Sequence, residues 1–125
     1  MKKQLRLELS RLASIEFQRH LCVGGTKDEY ILPSEILDSA ANTVQTTIAS
    51  PVLSKQFDAT QLKSLREFLE AIKAIAPDVP FDRESVSVEE LVETNPAWNK
   101  LRVSAQHCLD ALGLKASLEE LLNHS

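Results

Sequence analysis

The segment FDATQL, which begins at Phe57, constrains the local fold more tightly than any other part of the sequence. Asp58 is a residue type that caps helix N-termini. Gln61 stands where its side chain can bond back to the cap, which makes a capping box. Phe57 and Leu62 occupy the two positions of a hydrophobic staple. Apolar residues then recur at helical spacing until Pro77, so the pattern predicts a long helix that ends before this proline.

Similar signals divide the rest of the chain into helices. A polar capping residue precedes an apolar stripe at each of four further helix starts, which are predicted at Ser34, Ser87, Asn95 and Ser117. Glycine is expected to end two helices, because it tolerates a left-handed cap; these ends are at Gly24–Gly25 and at Gly113, where Leu114 can fold back on Leu109.

The apolar stripes predict an all-α protein. The first helix is expected over residues 3–22, with a short strand at residues 5–9 as the alternative. Only three residues are glycine, and 43% of the chain is hydrophobic against 26% charged, as in a globular domain. A chain of 125 residues can bury a hydrophobic core without covalent cross-links. We therefore expect one domain over residues 1–125, a compact bundle of five or six helices.

The sequence favours a cytoplasmic protein. No apolar run approaches the roughly 20 residues of a membrane span. The first ten residues, MKKQLRLELS, lack the apolar centre of a signal peptide. Cys22 and Cys108 match no metal-binding spacing and are expected to be reduced thiols. Cys108 lies on an apolar stripe and is expected to be buried, whereas Cys22 could be more exposed.

Candidate catalytic and metal-binding groups are sparse. Ser104, His107 and Asp110 share one helix face, but side chains on one helix converge poorly and no oxyanion hole is evident. Glu90 and Glu93 resemble half of a helical-bundle metal site, yet no histidine follows in the usual Glu-x-x-His spacing. A solvated helix surface explains both groups. We expect neither enzymatic activity nor a cofactor or metal ion.

Residues 88–112 resemble a helix–turn–helix in outline, which gives an alternative function as a small DNA-binding regulator. The second helix would present four polar side chains to DNA, namely Asn99, Lys100, Arg102 and Gln106. The first helix argues against this, because its carboxylates would lie close to the phosphates.

Two acidic segments are the most distinctive feature of the charge distribution. Residues 26–50 carry four acids and one base, and residues 78–95 carry six acids and one base. Ordinary solvation can account for them, but clustered carboxylates also steer basic partners into contact. Tyr30 or Phe81 could supply an apolar anchor. The predicted docking residues are Asp82, Glu84, Glu89, Glu90 and Glu93 in one segment, and Asp28, Glu29, Glu35 and Asp38 in the other.

Three segments, DEYILPSEILDSAANTV, FDATQLKSLREFLEAI and PAWNKLRVSAQHCLDALGL, resemble in their helix rhythm the small helical bacterial immunity proteins of polymorphic-toxin and contact-dependent growth inhibition systems. The resemblance covers roughly residues 24–114. It implies a non-catalytic cytoplasmic protein that binds and neutralises a cognate toxin domain, often a nuclease with a basic groove. Because the acidic segments repel nucleic acid and no membrane span is found, we expect binding to neither nucleic acid nor membrane. A helical enzyme or adaptor with unrecognised chemistry is a third reading.

Overall fold

The computed structural model describes residues 2–25, 30–81 and 86–123, and all regular structure in these ranges is helical. The α-helices are α1 Lys2–Ala13, α2 Ile15–Gln18, α3 Pro33–Ala49, α4 Pro51–Ser54, α5 Ala59–Ile75, α6 Val88–Thr94, α7 Pro96–Leu112 and α8 Leu118–Asn123. A π-helical segment, Arg19–Val23, follows α2, and a 3₁₀ turn, Ala76–Asp78, follows α5. The all-α prediction is confirmed.

The described residues form eight α-helices and not the predicted five or six, because the first predicted helix is divided and the short α4 follows α3. Ser14 has extended backbone angles (φ −95°, ψ 105°), and its hydroxyl accepts the Phe17 N–H at 3.1 Å. Ser14 therefore follows the last residue of α1 and is also the N-cap of α2. Residues 5–9 are helical, so the alternative strand is not formed.

Most predicted helix starts are confirmed. Both hydrogen bonds of the Asp58 capping box are present, at 2.8 Å and 3.0 Å. The side chains of Ser87, Asn95 and Ser117 each accept the backbone N–H three residues further on. Each cap is a contact between close neighbours in the chain, which is why local sequence is enough to predict it.

One predicted helix start is wrong, and one predicted helix end, at Gly24, is right for a different reason. The cap of α3 is Leu32 rather than Ser34, because Pro33 takes the first helical position. Gly24 has φ −92° and is not left-handed. Its N–H bonds to the Arg19 carbonyl at 2.8 Å, and a Cβ at this position would approach that oxygen to 3.1 Å. Close approach of the backbone, not handedness, is the reason for glycine here.

Gly113 ends α7 as predicted. It has φ 67°, in the left-handed region, and its N–H bonds to Asp110 O. The N–H of Leu114 bonds to Leu109 O at 3.0 Å, which completes a Schellman motif. This turn directs the chain from α7 into α8.

The buried core is built around α7, which packs against α1 and α5, while α3 packs against the same two helices. Trp98 is fully buried at the start of α7, and Phe81 contacts it edge to face at 6.0 Å between ring centroids. Within the described ranges, no helix is both long and apolar enough to cross a membrane.

Candidate functional site

The π-helical segment Arg19–Val23 contacts both the link that leads into α3 and the helix α6. The N–H of Ile31, two residues before α3, bonds to Leu21 O at 3.1 Å. Helix α6 packs against the same segment. The two acidic segments are separate docking candidates in the sequence, but in the structure the link into α3 and the helix α6 contact the same π-helical segment.

Gln18, the residue directly before the π-helical segment, anchors that segment to the core. Its Nε2 donates to the carbonyls of Arg11 and Leu12, at 3.1 and 2.8 Å. Its Oε1 accepts from Trp98 Nε1 at 2.9 Å and from Arg102 Nη1 at 3.2 Å. The side chain is fully buried and uses two donors and two acceptor positions, which is the full capacity of an amide group.

Arg102 is buried and belongs to the same network. Its Nη1 also donates to Val92 O in α6 at 2.5 Å, and its Nη2 donates to Asn99 Oδ1 at 3.2 Å. Burial lowers the pKa of Arg102, and the Glu93 carboxylate acts in the opposite direction. The buried guanidinium therefore ties α6 to α7 and cannot serve as one of the DNA contacts of the helix–turn–helix alternative.

Glu93 is exposed, but its carboxylate is hydrogen-bonded to Arg19. Both of its oxygens accept from Arg19, from Nε at 2.5 Å and from Nη2 at 2.8 Å. This bidentate hydrogen bonding, together with the charges of Arg19 and Arg102, lowers the pKa of Glu93. Of the acids predicted on α6, Glu93 thus holds the helix in place and offers a partner less unpaired charge than sequence alone suggests.

Glu89 and Glu90 are exposed in the first turn of α6, on the side away from the buried Leu91 and Val92. No described residue forms an ion pair with either carboxylate. Their charges are favoured by the helix dipole and remain available to an approaching cation.

Glu35 and Asp38 lie exposed near the start of α3 and have no ion-pair partner among the described residues. Glu35 is near enough to the π-helical segment for its negative charge to affect the Cys22 thiol. Burial, and then the charge of Glu35, raises the pKa of this thiol to about 12. Cys22 is buried, contrary to the expectation of greater exposure.

Two exposed apolar side chains accompany these acids. Val23, the last residue of the π-helical segment, is 38% exposed, and Tyr30, in the link that leads into α3, is 37% exposed. Phe81, the other predicted anchor, is partly buried against Trp98. Tyr30 is therefore better placed than Phe81 to contact a partner.

We define the docking surface as six exposed residues on the π-helical segment and on the two elements that contact it: Val23, Tyr30, Glu35, Asp38, Glu89 and Glu90. The other predicted docking residues, Asp28, Glu29, Asp82 and Glu84, lie outside the described residues.

The other sequence candidates, Ser104, His107 and Asp110, lie along α7. His107 and Asp110 are exposed, and Asp110 accepts a hydrogen bond from Gln106 at 2.9 Å. Cys108 is buried as expected, and burial raises the pKa of its thiol to about 12. Residues 2–25, 30–81 and 86–123 contain no group of three or more histidine, cysteine or acidic side chains placed to hold a metal ion.

Gln18 is the important residue that sequence reasoning missed. It is a polar residue on a helix predicted from its leucines, and it stands 80 positions from Trp98 and 84 from Arg102. No local pattern marks such a residue, because its partners are brought to it only by folding.

Comparison of the chain with models of known protein families, with curated proteins and with solved structures yields no match.

Proposed function

We propose that this protein is a non-catalytic immunity protein that binds and neutralises a cognate toxin domain through the docking surface. The observation that carries the proposal is that α6 and the link into α3, which lead to two sets of exposed acids, both contact one π-helical segment. Glu35 and Asp38 come from α3, and Glu89 and Glu90 come from α6. Four exposed carboxylates on two helices that neighbour one segment would attract a basic surface, such as the substrate groove of a nuclease.

The surroundings of the carboxylates support the same proposal. Val23 and Tyr30 offer apolar contact area beside the acids, and partly exposed aromatic side chains are common anchors at interfaces. The Arg19–Glu93 pair and the Gln18 network hold α6 on the bundle. A partner would therefore meet a preformed surface, which reduces the entropic cost of association.

The test is a binding measurement between this chain and the product of the gene adjacent to its own. We expect a one-to-one complex and loss of the partner's toxicity when both proteins are present. Absence of any complex would contradict the assignment as an immunity protein for that partner.

A second experiment uses charge-reversal variants to test the docking surface itself. Glu89→Lys with Glu90→Lys, and separately Glu35→Lys with Asp38→Lys, should each slow association about tenfold or more at low salt, because steering depends on charge. The matched control is Glu67→Lys with Glu70→Lys, which changes net charge equally at exposed positions of α5. Equal association rates for all three variants would place the interface elsewhere.

A further inference from the structure

Helix α6 has little apolar packing of its own. Only two of its seven residues, Leu91 and Val92, are buried, and Val88 is partly buried against the core. A helix of this length is not stable alone in water, because few backbone hydrogen bonds offset the cost of nucleation. Loss of its contacts with the bundle would therefore also unfold the helix, so the two events form one transition.

Two arginine side chains fasten the C-terminal turn of α6 to the bundle. Arg102 donates to the Val92 carbonyl at 2.5 Å, and Arg19 bonds to both carboxylate oxygens of Glu93. The last carbonyls of a helix lack intrahelical partners and carry partial negative charge, so guanidinium groups are favourable at this end. The attachment of α6 therefore depends on polar contacts as well as on its two buried side chains.

Asn95 joins α6 to α7 as a single extended residue. Its backbone angles are φ −71° and ψ 120°, and it is both the C-cap of α6 and the N-cap of α7. Its side chain accepts the Trp98 N–H at 2.9 Å, so the first turn of α7 is capped by a residue that lies outside α6. Unfolding of α6 can therefore stop at Asn95 and leave α7 folded.

The closed position of α6 helps to bury a cation. Arg102 is 7% exposed, and its hydrogen bonds to Gln18, Val92 and Asn99 are all made to neutral oxygens. Burial lowers the pKa of Arg102, because the charged form loses hydration. Opening of α6 removes the Val92 acceptor but lets water reach the guanidinium, so hydration replaces part of what is lost. Opening is therefore less costly than the exposure of Leu91 and Val92 alone would suggest.

We infer that α6 opens and unfolds as a unit while the rest of the bundle stays folded, and that the Arg19–Glu93 pair is the latch that keeps it closed. The open state is rare, so it leaves the overall helix content unchanged. In this state Glu89 and Glu90 lose their fixed place on the bundle, so the latch sets the fraction of molecules that present them. Only this consequence for binding rests on the proposed function, and measurements on the free chain test the opening separately.

Native-state hydrogen exchange, followed by NMR from zero to low urea concentration, measures the opening. The amides of Leu91 and Val92 report on α6, and those of Phe68 in α5 and Ala105 in α7 report on the core. After correction for intrinsic rates, we expect the two α6 amides to exchange at least about 100-fold faster than the core amides. They should agree with each other within about threefold and depend little on urea, because a unit of seven residues exposes little surface. Protection equal to that of the core amides, or unequal protection of Leu91 and Val92, would overturn the inference.

A core variant separates local opening from global unfolding. Phe68→Leu weakens the packing of α5 and should raise the exchange rate of Ala105 about fivefold. The exchange of Leu91 and Val92 should stay unchanged, because α5 is folded in both the closed and the open state. Equal acceleration of all three amides would mean that α6 exchanges only through global unfolding, and the inference would fail.

Glu93→Gln tests the latch. The substitution keeps the size of the side chain but removes the charge that Arg19 binds, so both α6 amides should exchange about threefold faster. The matched control is Glu67→Gln, which removes the charge of an exposed glutamate paired with Lys63 on α5 and should leave the α6 amides unchanged. Unchanged exchange in Glu93→Gln, or equal acceleration in both variants, would overturn the assignment of the Arg19–Glu93 pair as the latch.

Discussion

Gln18 shows how one buried amide can join three parts of the molecule. It connects the end of α1, through the Arg11 and Leu12 carbonyls, to Trp98 and Arg102 in α7. Arg102 extends the connection to Val92 in α6. No carboxylate of the described residues hydrogen-bonds to the buried Arg102 guanidinium, so Arg102 depends strongly on neutral acceptors, because its desolvation would otherwise go unopposed.

Replacement of this amide should therefore destabilise the folded protein. Gln18→Leu keeps a similar volume but leaves Trp98 Nε1 and part of the Arg102 guanidinium without acceptors. We expect the free energy of unfolding to fall by about 2–4 kcal/mol in urea titrations. Gln45→Leu, at an exposed position of α3, is the control and should change stability by less than about 0.5 kcal/mol. Equal stability of the two variants would show that the network contributes little.

At the scale of elements, α6 depends on its contacts. A helix of seven residues is too short to be stable alone in water. Leu91 and Val92 bury its inner side, and the Arg19–Glu93 pair joins its outer side to the π-helical segment. The acids of the docking surface that lie on α6 therefore keep their position through the tertiary structure.

The ion pair predicts a specific pH dependence. The pKa of Glu93 is lower in the folded protein than its ordinary value, so the pair stabilises the fold above the ordinary carboxyl pKa. That contribution is lost as the pH falls through the folded-state pKa. Glu93→Gln should therefore be less stable than the wild type at neutral pH, and the difference should vanish in strong acid. Urea midpoints measured across the acidic range check this.

Glu89→Gln is the matched control for that comparison. It relieves the same repulsion between like charges at i and i+4 but leaves the Arg19 pair intact. Its stability difference from the wild type should not follow the pattern of Glu93→Gln. Identical pH profiles for the two variants would mean that repulsion, and not the ion pair, determines the effect.

At the scale of the whole molecule, the buried apolar residues of the described helices form one continuous cluster, which extends from Leu5 in α1 to Leu121 in α8. Trp98 lies fully buried within it and is the single tryptophan of the chain. A continuous core of this kind favours cooperative unfolding of a small domain.

We therefore expect Trp98 fluorescence and far-ultraviolet circular dichroism to give coincident unfolding curves in urea. Fluorescence reports the packing at the start of α7, and dichroism reports all helices together. Loss of a substantial part of the helical signal before the fluorescence changes would show that part of the bundle unfolds independently.

The sequence by itself determined the all-α class, most helix starts and the buried stripes. Caps such as Asp58 and Asn95 bond to a backbone N–H three residues away, and a Schellman end such as Gly113 is equally local. Such interactions are encoded within one or two helical turns, so they can be predicted without knowledge of the fold.

Only the tertiary structure decided which polar side chains are available to a partner. Glu93 is paired with Arg19, 74 positions away, and Arg102, expected on a DNA-binding face, is buried against Gln18. The contacts of the link into α3 and of α6 with the π-helical segment likewise depend on residues distant in sequence. The charge of a residue follows from its identity, but its partners and exposure follow from packing, which no local pattern records.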